Sequence, residues 1–220
     1  MIRLLQVAYA ACLPVSGLAQ ARSASALRLT HRASRGTQGW SLMPLFLLLL
    51  TSCAHRQLPV LGEIPRFHLT SQDGRPFDSS TLAGKVWVAD FIFTTCPGPC
   101  PMMSAHMRRV QTETAGLADI RLLSFTVDPA HDTPEVLAAY SEHFLAEPGR
   151  WFFLTGAQKE LNDLGLNAFH LNSVDGSLDH STRFALVDRN SRIRGYYGFS
   201  DDDFPQRLLA DLRQLEREKS

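Results

Sequence analysis

The stretch Thr94-Thr95-Cys96-Pro97-Gly98-Pro99-Cys100-Pro101 follows an apolar run, Val86 to Phe93, that reads as a buried strand. Two cysteines three residues apart, at the exit of a strand and the entrance of a helix, can aim both sulfurs at one point. The prolines stiffen the loop. Pro101 suits the first helical position, where a missing N–H costs no intrahelical bond, so the pattern predicts Cys100 as the helix cap with Cys96 ahead of the helix. A helix N-terminus carries partial positive charge and unpaired N–H groups, which bias a nearby thiol toward thiolate. Redox chemistry or metal binding is therefore expected at this loop.

The 220 residues, 45% of them hydrophobic, allow one globular domain plus extensions. With 22 basic against 22 acidic side chains there is no electrostatic basis for nucleic-acid binding, and no polybasic cluster for anionic lipid. Residues 1–53 read as an export segment, poor in acidic residues and holding two apolar stretches. Leu4 to Leu18, behind Arg3 and ending in small residues near Ala19 and Ala21, has the form of a secretory signal. The second, Leu45 to Leu50, runs into Leu50-Thr51-Ser52-Cys53, which resembles a bacterial lipoprotein cleavage box whose cysteine is lipidated after export. That run falls short of the roughly 20 apolar residues a spanning helix needs. Arg32 and Arg35 supply the positive region ahead of it, and a start downstream of Met1 fits the tandem arrangement. The expectation is a lipoprotein anchored through Cys53 and facing the periplasm or extracellular side.

With Cys12 removed and Cys53 lipidated, Cys96 and Cys100 are the thiols of the folded domain. One close pair in an exported domain indicates redox or metal work rather than stapling, since a ring this small restricts the unfolded chain little. Residues 54–64, with Pro59 and Gly62, read as a linker, and residues 65–220 as the domain. Phe67 to Thr70 and Pro76-Phe77, joined across Asp73-Gly74, suggest a hairpin. After the cysteine loop come a helix from Pro101 to Ala115 and a strand from Ile120 to Val127. Thr133-Pro134 signals the next helix, with threonine as cap and proline first. Trp151 to Leu154 reads as a strand, Gln158 to Leu166 as a helix, and Arg183 to Asp188 with Ile193 to Tyr197 as strands around Asn190 and Ser191. A last helix follows Asp201-Asp202-Asp203, a triplet that matches a helix dipole. The order is that of an α/β layered domain of the thioredoxin-like type.

Three motifs carry a resemblance that spans this domain. Asp90-Phe91-Ile92-Phe93-Thr94-Thr95-Cys96-Pro97 to Cys100-Pro101, then Thr126-Val127-Asp128-Pro129 with Asp132-Thr133-Pro134, then Asp179-His180-Ser181, are similar to the Sco/SenC family. The resemblance implies a thioredoxin-like fold on the outer face of a membrane, and copper held by two cysteines and a distant histidine. It also implies a role in assembling the dinuclear copper centre of cytochrome c oxidase. Carried over, Cys96, Cys100 and His180 become the metal ligands, the copper-bearing oxidase subunit becomes the partner, and another periplasmic copper donor becomes a candidate source. The double export segment departs from the single membrane-spanning anchor of many relatives.

Donor chemistry independently favours copper. Soft thiolates select Cu(I), and imidazole tolerates both Cu(I) and Cu(II), whereas structural zinc wants a fourth protein ligand. Disulfide exchangers of this fold usually have two residues between their cysteines and, by resemblance, a cis-proline where Thr182 stands here. Asp128 closes a strand at the end of the sheet where ligands gather, and is a candidate to flank the metal; an aspartate there is also an ordinary turn former. Met103, His106 and Met107 share one helical face beyond Cys100 and are further candidates beside copper, against ordinary core packing. Three function classes follow: a copper metallochaperone, a thiol–disulfide reductase using Cys96 and Cys100, and a peroxidase with Cys96 peroxidatic and Cys100 resolving. Peroxidase chemistry leaves His180 without a role.

Overall fold

The computed structural model describes residues 57–171 and 181–218. Their centre is an eight-stranded sheet in the order β1-β8-β7-β4-β5-β6-β2-β3. In chain order the strands are β1 Gly62–Glu63, β2 His68–Ser71, β3 Pro76–Asp78, β4 Val86–Ile92, β5 Ile120–Thr126, β6 Trp151–Thr155, β7 Arg183–Val187 and β8 Arg192–Gly198. The helices are α1 Pro99–Glu113, α2 Pro134–His143, α3 Gln158–Asn162 and α4 Gln206–Arg217.

β4 and β5 run parallel through seven paired residues, from Val86↔Ile120 to Ile92↔Thr126, and β5 runs parallel to β6. β7 is antiparallel to β4, with Trp87 opposite Val187 and Ala89 opposite Ala185. Every residue of β4 is buried, as a central strand covered on both faces requires. Alternation sends Trp87, Ala89 and Phe91 to one face and Val88, Asp90 and Ile92 to the other. On the first face Phe91 stacks on Phe125 at 5.1 Å between ring centroids and meets Phe169 at 5.4 Å. On the second face α1 and α2 meet through the Ser104 and Tyr140 hydroxyls, 3.1 Å apart, and Phe184 of β7 stacks on Phe204 just ahead of α4.

Several expectations shift by a few residues. The cysteine helix starts at Pro99 rather than Pro101, with Gly98 as its N-cap, so Cys100 lies inside the first turn instead of capping it. Gly98 turns the chain at φ −121°, ψ −112°, and Pro99 takes the first position. Thr133 caps α2 as expected, its hydroxyl accepting from the Val136 N–H, with Pro134 first. The helix from Gln158 keeps α geometry only to Asn162 and widens into a π turn over Asp163–Ala168, where the Phe169 N–H reaches back to the Leu164 carbonyl at 2.8 Å.

The segment read as a linker contributes Leu58 and Ile64 to the core and pairs β1 with β8. Arg194 holds it down, donating to the Leu58 carbonyl from Nη2 at 2.7 Å and to Asp188 from Nη1 at 2.8 Å. The acidic triplet does not serve the dipole of α4, whose first turn contains no acidic residue. Asp201 accepts the Gly198 N–H at 2.9 Å, and Asp203 pairs with Arg207 at 3.2 Å.

Candidate metal and redox site

The site begins where the β4–β5 ladder ends. One further ladder bond joins the Val127 N–H to the Ile92 carbonyl at 2.8 Å, and beyond it the chain leaves the sheet. The Cys96 N–H then closes a turn on the Phe93 carbonyl at 3.2 Å. Both cysteines are present as thiols and both are buried, Cys96 with 7% of its surface exposed and Cys100 with none. The Gly98 N–H points at the Cys96 sulfur at 3.4 Å, and the Phe93 N–H points at the Cys100 sulfur at 3.5 Å. Burial pushes the Cys100 thiol far above the usual thiol range; the Phe93 N–H opposes this, while the adjoining Cys96 sulfur and Asp90 add to it. The two sulfurs therefore differ: Cys96 lies at the rim of the loop, and Cys100 sits behind it in the first turn of α1.

Two aspartates surround this pair, neither singled out from sequence as a site residue. Asp132 is fully buried at the start of the α2 turn. Its carboxyl accepts from the Thr94 N–H at 3.2 Å, the Thr94 hydroxyl at 2.5 Å and the Thr126 hydroxyl at 2.6 Å. Asp90 lies beneath the cysteines on β4, fully buried, with neither carboxyl oxygen in a hydrogen bond of ordinary geometry. Burial pushes its carboxyl up to about 7, against the opposing pull of the Ser124 hydroxyl, which belongs to its register partner on β5.

The other candidates fall in different places. Met103 and Met107 are fully buried in the core cluster that also includes Cys96 and Cys100. His106 is half-buried, its ring edge-to-face with Phe204 at 4.8 Å, and burial, with Arg109 nearby, lowers its pKa. Asp128 is half-buried at the exit of β5; its N–H donates to the Thr126 hydroxyl at 2.9 Å and its carbonyl accepts the Asp132 N–H at 2.8 Å. His180 and Cys53 lie outside the described residues. Among the described residues no three or more His, Cys, Asp or Glu side chains gather into a metal-holding group, so the donors brought together are the two sulfurs. Two adjoining soft sulfurs suit Cu(I), and a third donor would come from beyond them.

Residues 59–216, which contain this whole arrangement, match the SCO1/SenC family. The chain belongs to the SCO1/SenC family. A SCO1/SenC family lipoprotein from Bacillus anthracis is 32% identical, with 70% of this chain and 95% of that one covered and a TM-score of 0.64. BsSco, a member of the Sco family of cytochrome c oxidase assembly proteins in which a disulfide switch was identified, is 30% identical, with coverage of 74% and 100% and a TM-score of 0.65. A Stutzerimonas stutzeri protein named for copper binding is 33% identical over 169 residues, 73% of this chain and 81% of the relative. The α/β thioredoxin-like fold expected from the order of elements is the fold shared with these SCO1/SenC structures.

Within this SCO1/SenC domain the cysteine pair stands out in the sequence as a motif, whereas the roles of Asp90 and Asp132 emerge only from the fold. Signals for both exist in the sequence. Asp90 is the one charged residue of an otherwise apolar run, and Asp132 sits between a strand exit and a capped helix, where a buried carboxylate can reach both.

Proposed function

We propose that this chain is a copper metallochaperone working outside the cytoplasm, which holds copper with Cys96, Cys100 and His180 and passes it to the dinuclear copper centre of cytochrome c oxidase during assembly. The observation that carries the reading is the pair of adjoining sulfurs at the β4–α1 junction, one at the rim and one behind it. Thiolates hold Cu(I), and an added imidazole lets the same site keep copper as Cu(II). The topology supports His180 as that imidazole. Because β7 runs antiparallel to β4, its first residue Arg183 lies toward the end of the sheet from which β4 enters the cysteine loop, and Ser181-Thr182 lead into it there. The relative named for copper binding and the oxidase-assembly description of BsSco support the cargo and the target. The Bacillus anthracis lipoprotein supports a lipid anchor at Cys53, and no described helix is long and apolar enough to cross a membrane.

The difference between the two thiols favours a second reading, a thiol–disulfide reductase acting on the cysteines of the same target. Cys96 would attack a target disulfide and form a mixed disulfide, releasing one target thiolate. Cys100, once deprotonated, would then attack the Cys96 sulfur, releasing the second target thiol and leaving a Cys96–Cys100 disulfide, two electrons having passed to the target. The disulfide switch in BsSco is in keeping with this chemistry. Anaerobic loading of the reduced protein with copper tests the first reading. One copper per chain with sulfur and imidazole signatures in X-ray absorption is expected, and copper lost on desalting would overturn it.

A further inference from the structure

We propose that Asp132 is the positioning residue of the cysteine site, a buried clasp that fixes where Cys96 presents its sulfur. The proposal rests on the reading of Cys96 and Cys100 as the working pair, and it starts from where the ladder runs out. Ile92 still bonds to β5 through the Val127 N–H, but Thr94, two residues on, has left the strand. Asp132 takes the Thr94 N–H at 3.2 Å and the Thr94 hydroxyl at 2.5 Å, so both donors of this residue end on one carboxyl group. The same group accepts the Thr126 hydroxyl at 2.6 Å from the last residue of β5. The Thr126 oxygen in turn accepts the Asp128 N–H at 2.9 Å, and the Asp128 carbonyl accepts the Asp132 N–H at 2.8 Å. The cysteine loop, the end of β5 and the turn into α2 are thereby closed into one hydrogen-bonded unit.

Several features separate this unit from an ordinary turn. Asp132 is fully buried, and donors from two separate segments, Thr94 and Thr126, converge on its carboxyl group. The His131 ring also lies at the clasp, its Nδ1 3.4 Å from Oδ1, and it is half exposed. Within the loop the Cys96 N–H bonds to the Phe93 carbonyl and the Gly98 N–H points at the Cys96 sulfur, while the Phe93 N–H points at Cys100 in α1. Asp132 ties this short arc to the last residue of β5. Without it, the two half-buried donors of Thr94 lose their acceptor and the arc bearing Cys96 can swing relative to Cys100, which α1 holds in place.

The test compares Asp132→Ala, Asp132→Asn and Thr94→Val in the purified chain, with metal-free thiol measurements first and copper loading second. In Asp132→Ala the alkylation rate of Cys96 should rise about tenfold, and the equilibrium constant for forming the Cys96–Cys100 disulfide in a glutathione buffer should fall about tenfold, at temperatures where circular dichroism shows the chain folded. Asp132→Asn, which keeps the shape and one acceptor oxygen, should lie between the alanine variant and wild type. A folded Asp132→Ala with wild-type alkylation and wild-type disulfide equilibrium would overturn the proposal. If Asp132→Ala does not fold, Thr94→Val, which removes one donor and keeps the shape, decides: a shift of about threefold in the same direction supports the clasp, and no shift overturns it. Wild-type protein that takes up no copper would count against the metallochaperone reading alone, since the thiol measurements judge the clasp without metal.

Discussion

The backbone N–H of Phe93 points at the sulfur of Cys100 at 3.5 Å, so the last residue before the cysteine loop holds the thiol that lies behind it. Cys100 is fully buried and its thiol is pushed up by that burial, while Cys96 keeps 7% of its surface. Cys96 should therefore react first. In the reduced, metal-free protein at neutral pH, iodoacetamide should modify Cys96 at least about ten times faster than Cys100, because the thiolate is the nucleophile and burial suppresses it. Peptide mass spectrometry over a time course checks this, and equal rates would remove the assignment of Cys96 as the attacking thiol.

Asp90 makes stability depend on pH. Its carboxyl titrates near 7 in the folded protein, against an ordinary value of 3.8. Between about pH 4 and about pH 7 the folded chain keeps a proton that the unfolded chain has released. The folded state binds more protons there, so this group lowers stability as pH rises, by up to about 1.4 kcal/mol per pH unit, and the effect levels off above the folded value. Asp90→Asn should lack this decline. Urea unfolding of wild type and variant across the window gives the difference curve; two parallel curves would mean that Asp90 is already ionised when folded.

How far this site could be read in advance depended on whether its residues act locally. The strand–loop–helix around Cys96, the β2–β3 hairpin and the Thr133-Pro134 helix start rest on patterns within a few residues, and the structure contains them. The start of α1 differs from the expected one because Pro99 and Pro101 both satisfy the rule for a first helical proline, and only the turn at Gly98 decides between them. Arg194 holding Leu58 spans 136 positions, and Asp132 holding Thr94 spans 38, so no local pattern reports either contact. Asp90 was visible as a charge in an apolar strand, but its burial depends on α1 and α2 covering that face.

The methionines beyond Cys100 divide by exposure. Met103 and Met107 are fully buried in the core, whereas Met102 is half exposed. Met107→Ala should cost about 2–5 kcal/mol by removing packed atoms, and Met107→Leu less than about 1.5 kcal/mol. Both should bind as much copper as wild type when folded. A Met107→Leu variant of unchanged stability but altered copper spectrum would move this residue from the core to the metal.

Cys53→Ser should release the protein from membranes, because the apolar run before it is too short to span and leaves lipid as the anchor. Fractionation of cells expressing each form reads this directly. Intact-mass analysis of the wild-type protein should find residues 1–52 removed and acyl chains present; a chain that keeps those residues and carries no lipid would require another anchor.

The last prediction separates copper delivery from disulfide reduction. If reduction is the main task, Cys96 attacks and Cys100 resolves, and an imidazole matters little beyond adjusting the reactivity of the thiols. If delivery is the main task, two sulfurs can still hold Cu(I), but Cu(II) prefers more ligands and tends to oxidise an under-coordinated thiolate pair. His180→Ala should therefore bind Cu(I) nearly as wild type, lose most of its Cu(II) affinity, and keep the ability to reduce a model disulfide. In cells lacking the wild-type gene it should fail to support assembly of the copper oxidase. Should His180→Ala assemble the oxidase as well as wild type while Cys96→Ser does not, the work of this site is electron transfer through Cys96 and Cys100, and copper binding is secondary to it.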